Sequence, residues 1–355
     1  MTWNLIHPRF RRQYYGMNGG GMGGGMGMGM MGGMGGMGQQ MGGMGQQMFP
    51  GVMQSSKNSW GSFSSQREDW PRGWEQLTNL GIQEAFELGT FLRERYIDEK
   101  KLFGPFFDRE KVFMQSSDQE RTLESAQAVA AGLFPPTGNR VWNASFLWQP
   151  TPIHSHGIDR AQDMILRPKA SGCPRYKRLN TTDRVKSVHQ IEKKYADFFK
   201  YLSNMTGNEI NGLNVAHLFE LGIEIKNGLP QPDWVNGKFG DLPILPTIVA
   251  LKKKLRLGEF NSPEKGKLRG GLMLNNLITY IEALRDGNQT FAAVLYSSHD
   301  DGLFALLSAL GLLGDEMIPT AAGMMSAMVS HSHVWSFQDR ERTGGEKTAM
   351  SVLFL

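Results

Sequence analysis

The chain has 355 residues, 40% of them hydrophobic, and a net charge of +4. Of its 38 basic residues, Arg9, Arg11, Arg12 and Lys57 lie in the first 66 positions, which hold no acid; the other 34 match 34 acidic residues. A globular part with balanced charge argues against a general affinity for nucleic acid, and a single cysteine, Cys173, excludes an intrachain disulfide.

The segment Gly16–Met48 contains only Gly, Met, Gln and one Asn. It has no branched or aromatic side chain to offset its ordering entropy, so residues 1–66 read as a disordered, low-complexity leader. Order is expected from Trp70-Pro71 onward, roughly 290 residues, enough for one large domain or a domain with an insertion. Apolar or small residues at 77, 81, 85, 88, 92 and 96 predict a helix over Leu77–Tyr96. Val112–Ser117 reads as a strand, and Asp118–Leu133 as the helix after it, stopped by Pro135-Pro136. Residues 137–266 are richer in Pro, Asn and charge, with helical patterns at 185–202, 214–225 and 245–257. They read as a helix-rich insertion. Gly270–Leu284 is a further apolar helix. A strand from Phe291 then ends in Ser298-His299-Asp300, and a helix follows over Gly302–Leu313. Val334–Phe337 and Met350–Leu355 read as two strands joined through Gly344-Gly345. The order predicts an α/β sheet formed by 67–136 and 267–355, with 137–266 as a helical lobe inserted in it.

Two strand-to-helix junctions carry ionisable groups at the carboxyl ends of strands, where α/β sheets bind ligands. The first is Ser116-Ser-Asp-Gln-Glu-Arg-Thr122. A helix N-terminus favours an anion, and Arg121 offers a planar clamp for phosphate oxygens; the plainer reading is an N-cap by Ser117 or Asp118 with Arg121 in a surface ion pair. The second is His299-Asp300, a proton donor beside a charge stabiliser, or a strand-end histidine with Asp300 or Asp301 as the next N-cap. His331-Ser-His333 has spacing for a metal, but no third ligand is evident, so no metal is expected. Met317, Met324, Met325 and Met328 read as gap-filling apolar residues. Four sequons at Asn143, Asn180, Asn204 and Asn288 point to a glycoprotein, whereas a lone cysteine points to a reducing compartment. No apolar segment of signal-peptide length is visible in residues 1–18, and no run is long and apolar enough to span a membrane.

Several blocks, in order, resemble the histidine acid phosphatases of the prostatic and lysosomal type. They are Asp69-Trp-Pro-Arg-Gly-Trp-Glu-Gln-Leu-Thr-Asn-Leu-Gly81, Ser116-Ser-Asp-Gln-Glu-Arg-Thr-Leu-Glu-Ser-Ala126, Leu147-Trp-Gln-Pro150 with Pro152-Ile-His154, Gly172-Cys-Pro-Arg175, Leu268-Arg-Gly-Gly271 and Tyr296-Ser-Ser-His-Asp300. The resemblance runs from about 67 to 355. It implies a phosphoglycerate-mutase-like α/β domain with an inserted helical lobe. It also implies hydrolysis of phosphate monoesters at acidic pH through a phosphohistidine, without metal or other cofactor. Carried over, Arg121 binds phosphate, His299 binds and stabilises the phosphoryl group, and Asp300 protonates the leaving alcohol. His154 falls in a similar block, with a packed strand-end histidine as its alternative. Partners implied are a phosphomonoester or inorganic phosphate, with a homodimer compatible. Family members are secreted, lysosomal or membrane-anchored.

The departures concern the nucleophile. The family's histidine lies in an Arg-His-Gly-x-Arg-x-Pro motif after an apolar strand, upstream of the Trp-Pro block. Here the upstream histidine is His7, in Ile6-His-Pro-Arg9, with no preceding Arg and no following Gly. No nucleophile is therefore assigned, the first strand is expected to be missing, and the chain as written is expected to be inactive, since such groups act as a unit. Gln115 stands where relatives often carry Arg, and Cys173 matches a family cysteine whose partner lies in a tail beyond Leu355. Three readings stay open: an active acid phosphatase, a non-catalytic phosphate- or ligand-binding relative (a pseudoenzyme), and a truncated isoform or wrong gene model of an active family enzyme.

Overall fold

The computed structural model describes residues 2–6, 67–157, 163–167, 172–286, 288, 291–319, 321–330 and 347–354. Its main sheet has five strands: β1 (Thr2–Ile6), β2 (Val112–Ser116), β5 (Ala293–Ser297), β6 (Gly323–Ser330) and β7 (Lys347–Phe354), in the order β1-β6-β7-β5-β2. The β7–β5 and β5–β2 pairs are parallel, whereas β1–β6 and β6–β7 are antiparallel. A second, two-stranded ladder joins β3 (Lys238–Phe239) and β4 (Leu242–Pro243).

Seven α-helices complete the described chain: α1 (Asn79–Leu92), α2 (Glu120–Leu133), α3 (Pro174–Thr206), α4 (Glu220–Lys226), α5 (Ile244–Leu257), α6 (Pro263–Arg285) and α7 (Asp300–Ala309). The Thr78 hydroxyl caps α1 by accepting from the Gly81 amide at 3.1 Å. A π-helical run over Arg93–Glu99 continues this element, so the predicted end near Tyr96 falls inside it.

β5 is apolar on both faces because it lies between parallel neighbours with helices on each side. Its alternate residues face opposite ways. Leu295 packs with Leu88, Leu92, Met114, Val129 and Leu133 beneath α1 and α2. Val294 and Tyr296 pack with Leu277, Phe304 and Leu306 beneath α6 and α7. A third apolar cluster, with Ile191, Phe198, Leu202, Val215, Ile248 and Leu251, draws wholly on residues between α3 and α5.

Several elements differ from their sequence patterns. α3 starts at Pro174, whose fixed φ suits the first helical turn, and bends at Tyr195. The pattern over 214–225 splits into a 3₁₀ turn, Val215–Phe219, and α4. Met324, Met325 and Met328 lie in β6, a strand whose small and flexible side chains gave no β-like alternation. Thr2–Ile6 forms a strand within the expected leader, but it lies at the sheet's edge, paired with Gly323–Ala327. It is an antiparallel edge strand, not the apolar strand ahead of a nucleophile motif that was expected to be missing. His7, Val334–Phe337 and His331-Ser-His333 lie outside the described residues.

Candidate functional site

The carboxyl ends of β2 and β5 meet at one sheet edge because the strands run parallel in register, Ser116 opposite Ser297. The Ser117 amide donates to the Ser297 carbonyl at 3.0 Å. The Ser297 hydroxyl donates to the Thr122 carbonyl at 2.8 Å. These bonds fix the two junctions against each other. A third segment is fastened by the Ser298 hydroxyl, which donates to the Leu166 carbonyl at 2.6 Å and sets Arg167 beside the cluster.

Ser117 is fully buried, and its Oγ lies 3.0 Å from His299 Nε2 and 2.9 Å from Thr122 Oγ1. Neither Ser117 nor Asp118 caps α2; Gln119 holds the cap position without a side-chain bond. Thr122 turns its hydroxyl back to the carbonyls of Ser117 and Gln119, so the short polar side chains of this turn satisfy one another. The predicted cap thus gives way to a contact across the sheet edge that adjacent-residue patterns do not reveal.

His299 occupies the cap position before α7, also without a capping bond. Burial pushes its pKa down to about 3, and the guanidinium groups of Arg121 and Arg167 push the same way. The imidazole is therefore neutral, with one ring nitrogen donating and one accepting. Arg121 Nη1 donates to the Glu75 carbonyl at 3.4 Å, on the loop before α1. Backbone thus holds at least one arm of the Arg121 guanidinium.

Asp300 and Asp301 form the first turn of α7, where the dipole favours acids. They are not caps. Asp300 Oδ2 receives Arg256 Nη2 at 2.6 Å and Arg256 Nε at 3.1 Å. Asp301 Oδ2 receives Arg269 Nη2 at 3.2 Å. Arg256 also reaches Glu259 at 3.2 Å, and Arg269 reaches the Tyr176 hydroxyl at 3.1 Å. Burial alone would raise the Asp300 pKa, but Arg256 and then Lys252 outweigh it and leave it lowered. For Asp301 burial prevails over Arg269, and the pKa is raised.

The structure therefore gathers Arg121, His299 and Asp300 at one edge, with Ser117, Arg167, Arg256 and Arg269 around them. The last three carried no role in the sequence. Arg269 lies in the Leu268-Arg-Gly-Gly271 block, a signal that was present. Arg256 sits in the last turn of a helix, where a basic residue is ordinary. His154 is exposed; its ring stacks on Phe113 at 4.9 Å, and its backbone bridges to Gln115 and accepts from the Ser116 amide at 2.8 Å. Among the described residues no group of three or more His, Cys, Asp or Glu could hold a metal ion.

A model of the histidine phosphatase superfamily (branch 2) matches residues 40–336. Mouse (Mus musculus) testicular acid phosphatase is 33% identical over 291 residues, covering 80% of this chain and 65% of that protein. Bovine (Bos taurus) lysosomal acid phosphatase is 32% identical over 260 residues, covering 72% and 60%. The chain thus spans somewhat less than two thirds of the length of these relatives. In fold it is similar to the phytase of Citrobacter braakii, with a TM-score of 0.56 at 15% identity over 76% of each chain. Hafnia alvei phytase in complex with tartrate gives 0.55 at 16% identity, covering 75% and 74%. The sheet, the ordered blocks and these matches together place the chain in the histidine phosphatase superfamily, branch 2, among relatives that are prostatic, lysosomal and testicular acid phosphatases.

Proposed function

We propose that residues 1–355 bind inorganic phosphate or a phosphate monoester at the β2–β5 edge without hydrolysing it. The observation that carries this reading is the half-buried, neutral His299, with Ser117 on Nε2 and the charges of Arg121 and Arg167 near enough to act on it. A neutral imidazole offers a donor without a balancing carboxylate of its own, and two guanidinium groups supply positive charge in a partly dry setting. The start of α2 adds its dipole. The lack of an Arg-His-Gly-x-Arg-x-Pro motif supports binding without turnover.

Within this reading Arg121 and His299 hold the phosphoryl oxygens, and Asp300 lies on the leaving-group side. The reading calls for neither metal nor cofactor. Residues 137–266 form the inserted lobe, a division supported by the separate apolar cluster between α3 and α5. The exposed sequon residues Asn143, Asn204 and Asn288 suit glycan attachment. Family membership favours a second reading, acid-pH hydrolysis through a phosphohistidine.

Calorimetry with phosphate, together with turnover of an aryl phosphate at acidic pH, separates the two. The chain should release heat of binding, and Arg121→Ala should bind at least about tenfold more weakly, as expected for losing a charged hydrogen bond. Turnover should not exceed that of Asp300→Ala. No heat at millimolar phosphate sinks the binding reading; turnover above the control sinks the claim of no hydrolysis.

A further inference from the structure

The ion pair between Arg256 and Asp300 joins a helix of the inserted region to the first turn of α7, and nothing in the sequence motifs assigns it. Arg256 is buried and Asp300 largely so, at 6% and 14% exposure, and two guanidinium nitrogens meet the same carboxylate oxygen, at 2.6 and 3.1 Å. Arg256 is itself fixed from three sides. Glu259 binds its other terminal nitrogen, and its guanidinium lies over Phe304 at 5.5 Å and Phe260 at 5.9 Å.

The groups facing Asp300 come from three elements. α5 contributes Arg256 and Lys252, the α7 segment itself contributes His299 and Asp301, and α6 contributes Arg269, which engages Asp301. Glu259 lies on the far side of Arg256. The direct contact on the Asp300 carboxylate is cationic, and that has two consequences. A compensated carboxylate does not repel an anion beside His299. A carboxylate kept ionised has no proton to give to a leaving alkoxide.

We propose that Arg256 is a positioning residue of this site, holding Asp300 as a charge-compensated carboxylate so that the site admits an anion and withholds a proton. The consequence for anions rests on the phosphate-binding reading above; the ionisation of Asp300 does not.

The ionisation is read from the side-chain carboxyl carbon of Asp300 by NMR on aspartate-labelled protein, assigned with Asp300→Asn. In the wild-type chain it should stay ionised down to about pH 4 or below. In Arg256→Leu, burial loses its chief opponent, and the midpoint should rise above the ordinary carboxylate range. Arg256→Lys should restore most of the lowering, which a purely structural role would not require. It also serves if Arg256→Leu does not fold. A wild-type midpoint at or above the ordinary value overturns the proposal, as does an Arg256→Leu midpoint that does not move.

Sulfate, whose charge is constant over about pH 4 to about pH 8, then tests the consequence for anions. Its affinity for Arg256→Leu should fall with rising pH, by up to about tenfold per unit, as Asp300 ionises without its partner. The wild type and Arg256→Leu/Asp300→Asn should lack that slope. Sulfate binding without the slope in Arg256→Leu counts against the proposal. If the wild type binds no sulfate while the NMR midpoint moves as stated, the phosphate-binding reading fails and the role of Arg256 in ionising Asp300 stands.

Discussion

The β2–α2 and β5–α7 junctions are two versions of one design, parallel and adjacent, and they satisfy their polar groups differently. In the first, Ser117, Thr122 and the Gln119 carbonyl bond to one another within a single turn. In the second, Ser298 reaches the Leu166 carbonyl, Asp300 reaches Arg256 and Asp301 reaches Arg269, all far away in sequence. Hydroxyls are inexpensive to bury and can close on nearby backbone. Carboxylates are not, and each needs a guanidinium that only another helix can deliver. Apart from its contacts with the second junction, the first can therefore satisfy its hydroxyls locally, whereas the carboxylates of the second depend on α5 and α6 being in place.

The strongest test of that contrast is to remove a distant partner. Arg269→Leu leaves the Asp301 carboxylate, at 9% side-chain exposure, without its guanidinium. It also strips a cation from the rings of Tyr176 and Phe260, both 5.1 Å away. The expected loss is about 3–5 kcal/mol in urea unfolding, the usual result of breaking a buried pair from one side. Arg269→Leu/Asp301→Asn should recover part of it. A loss under about 1 kcal/mol for the single change would mean that α7 does not lean on α6 through charge.

Packing should affect the two junctions alike. Each rests on helices in backbone contact: a Cβ at Gly132 would run into the Phe86 carbonyl between α2 and α1, and one at Gly270 into the Ala305 carbonyl between α6 and α7. Gly132→Ala and Gly270→Ala should each cost about 1–3 kcal/mol, because only a shift of a whole helix relieves the clash. Similar losses by urea unfolding would confine the difference between the junctions to electrostatics. A much larger loss at either glycine would show that packing differs too.

The same contrast explains what the sequence disclosed. Strand, loop and helix were legible at both junctions, because runs such as Val112–Ser116 and Ala293–Ser297 break abruptly into polar turns. Arg121, His299 and Asp300 stood out because they occupy those turns. Ser117 was visible but took the wrong role, since a serine before a helix reads as a cap until a second strand brings His299 to it. Arg256 was illegible: a basic residue ending an amphipathic helix looks solvated, and its burial depends on where α5 docks. β6 was missed for another reason. Gly323-Met-Met-Ser-Ala-Met-Val-Ser330 has Val329 as its single branched residue and no aromatic, and its pairing with β7 and β1 supplies what propensity does not.

The smallest effect isolates burial from distance. Arg72 Nη2 and Glu124 Oε1 lie 2.6 Å apart, the same separation as Arg256 Nη2 and Asp300 Oδ2. The Arg72 pair is 38% and 37% exposed, against 6% and 14% for the other. In water the attraction is screened, and the entropy of holding two long side chains offsets most of it. Arg72→Ala should therefore change stability by no more than about 0.5 kcal/mol, and a double-mutant cycle with Glu124→Ala should give a coupling of similar size that fades with salt. A coupling above about 1.5 kcal/mol would mean that contact length rather than burial sets the strength of these pairs. The reliance of the second junction on buried arginines would then need another explanation, because an exposed pair such as Arg72 and Glu124 would hold as well.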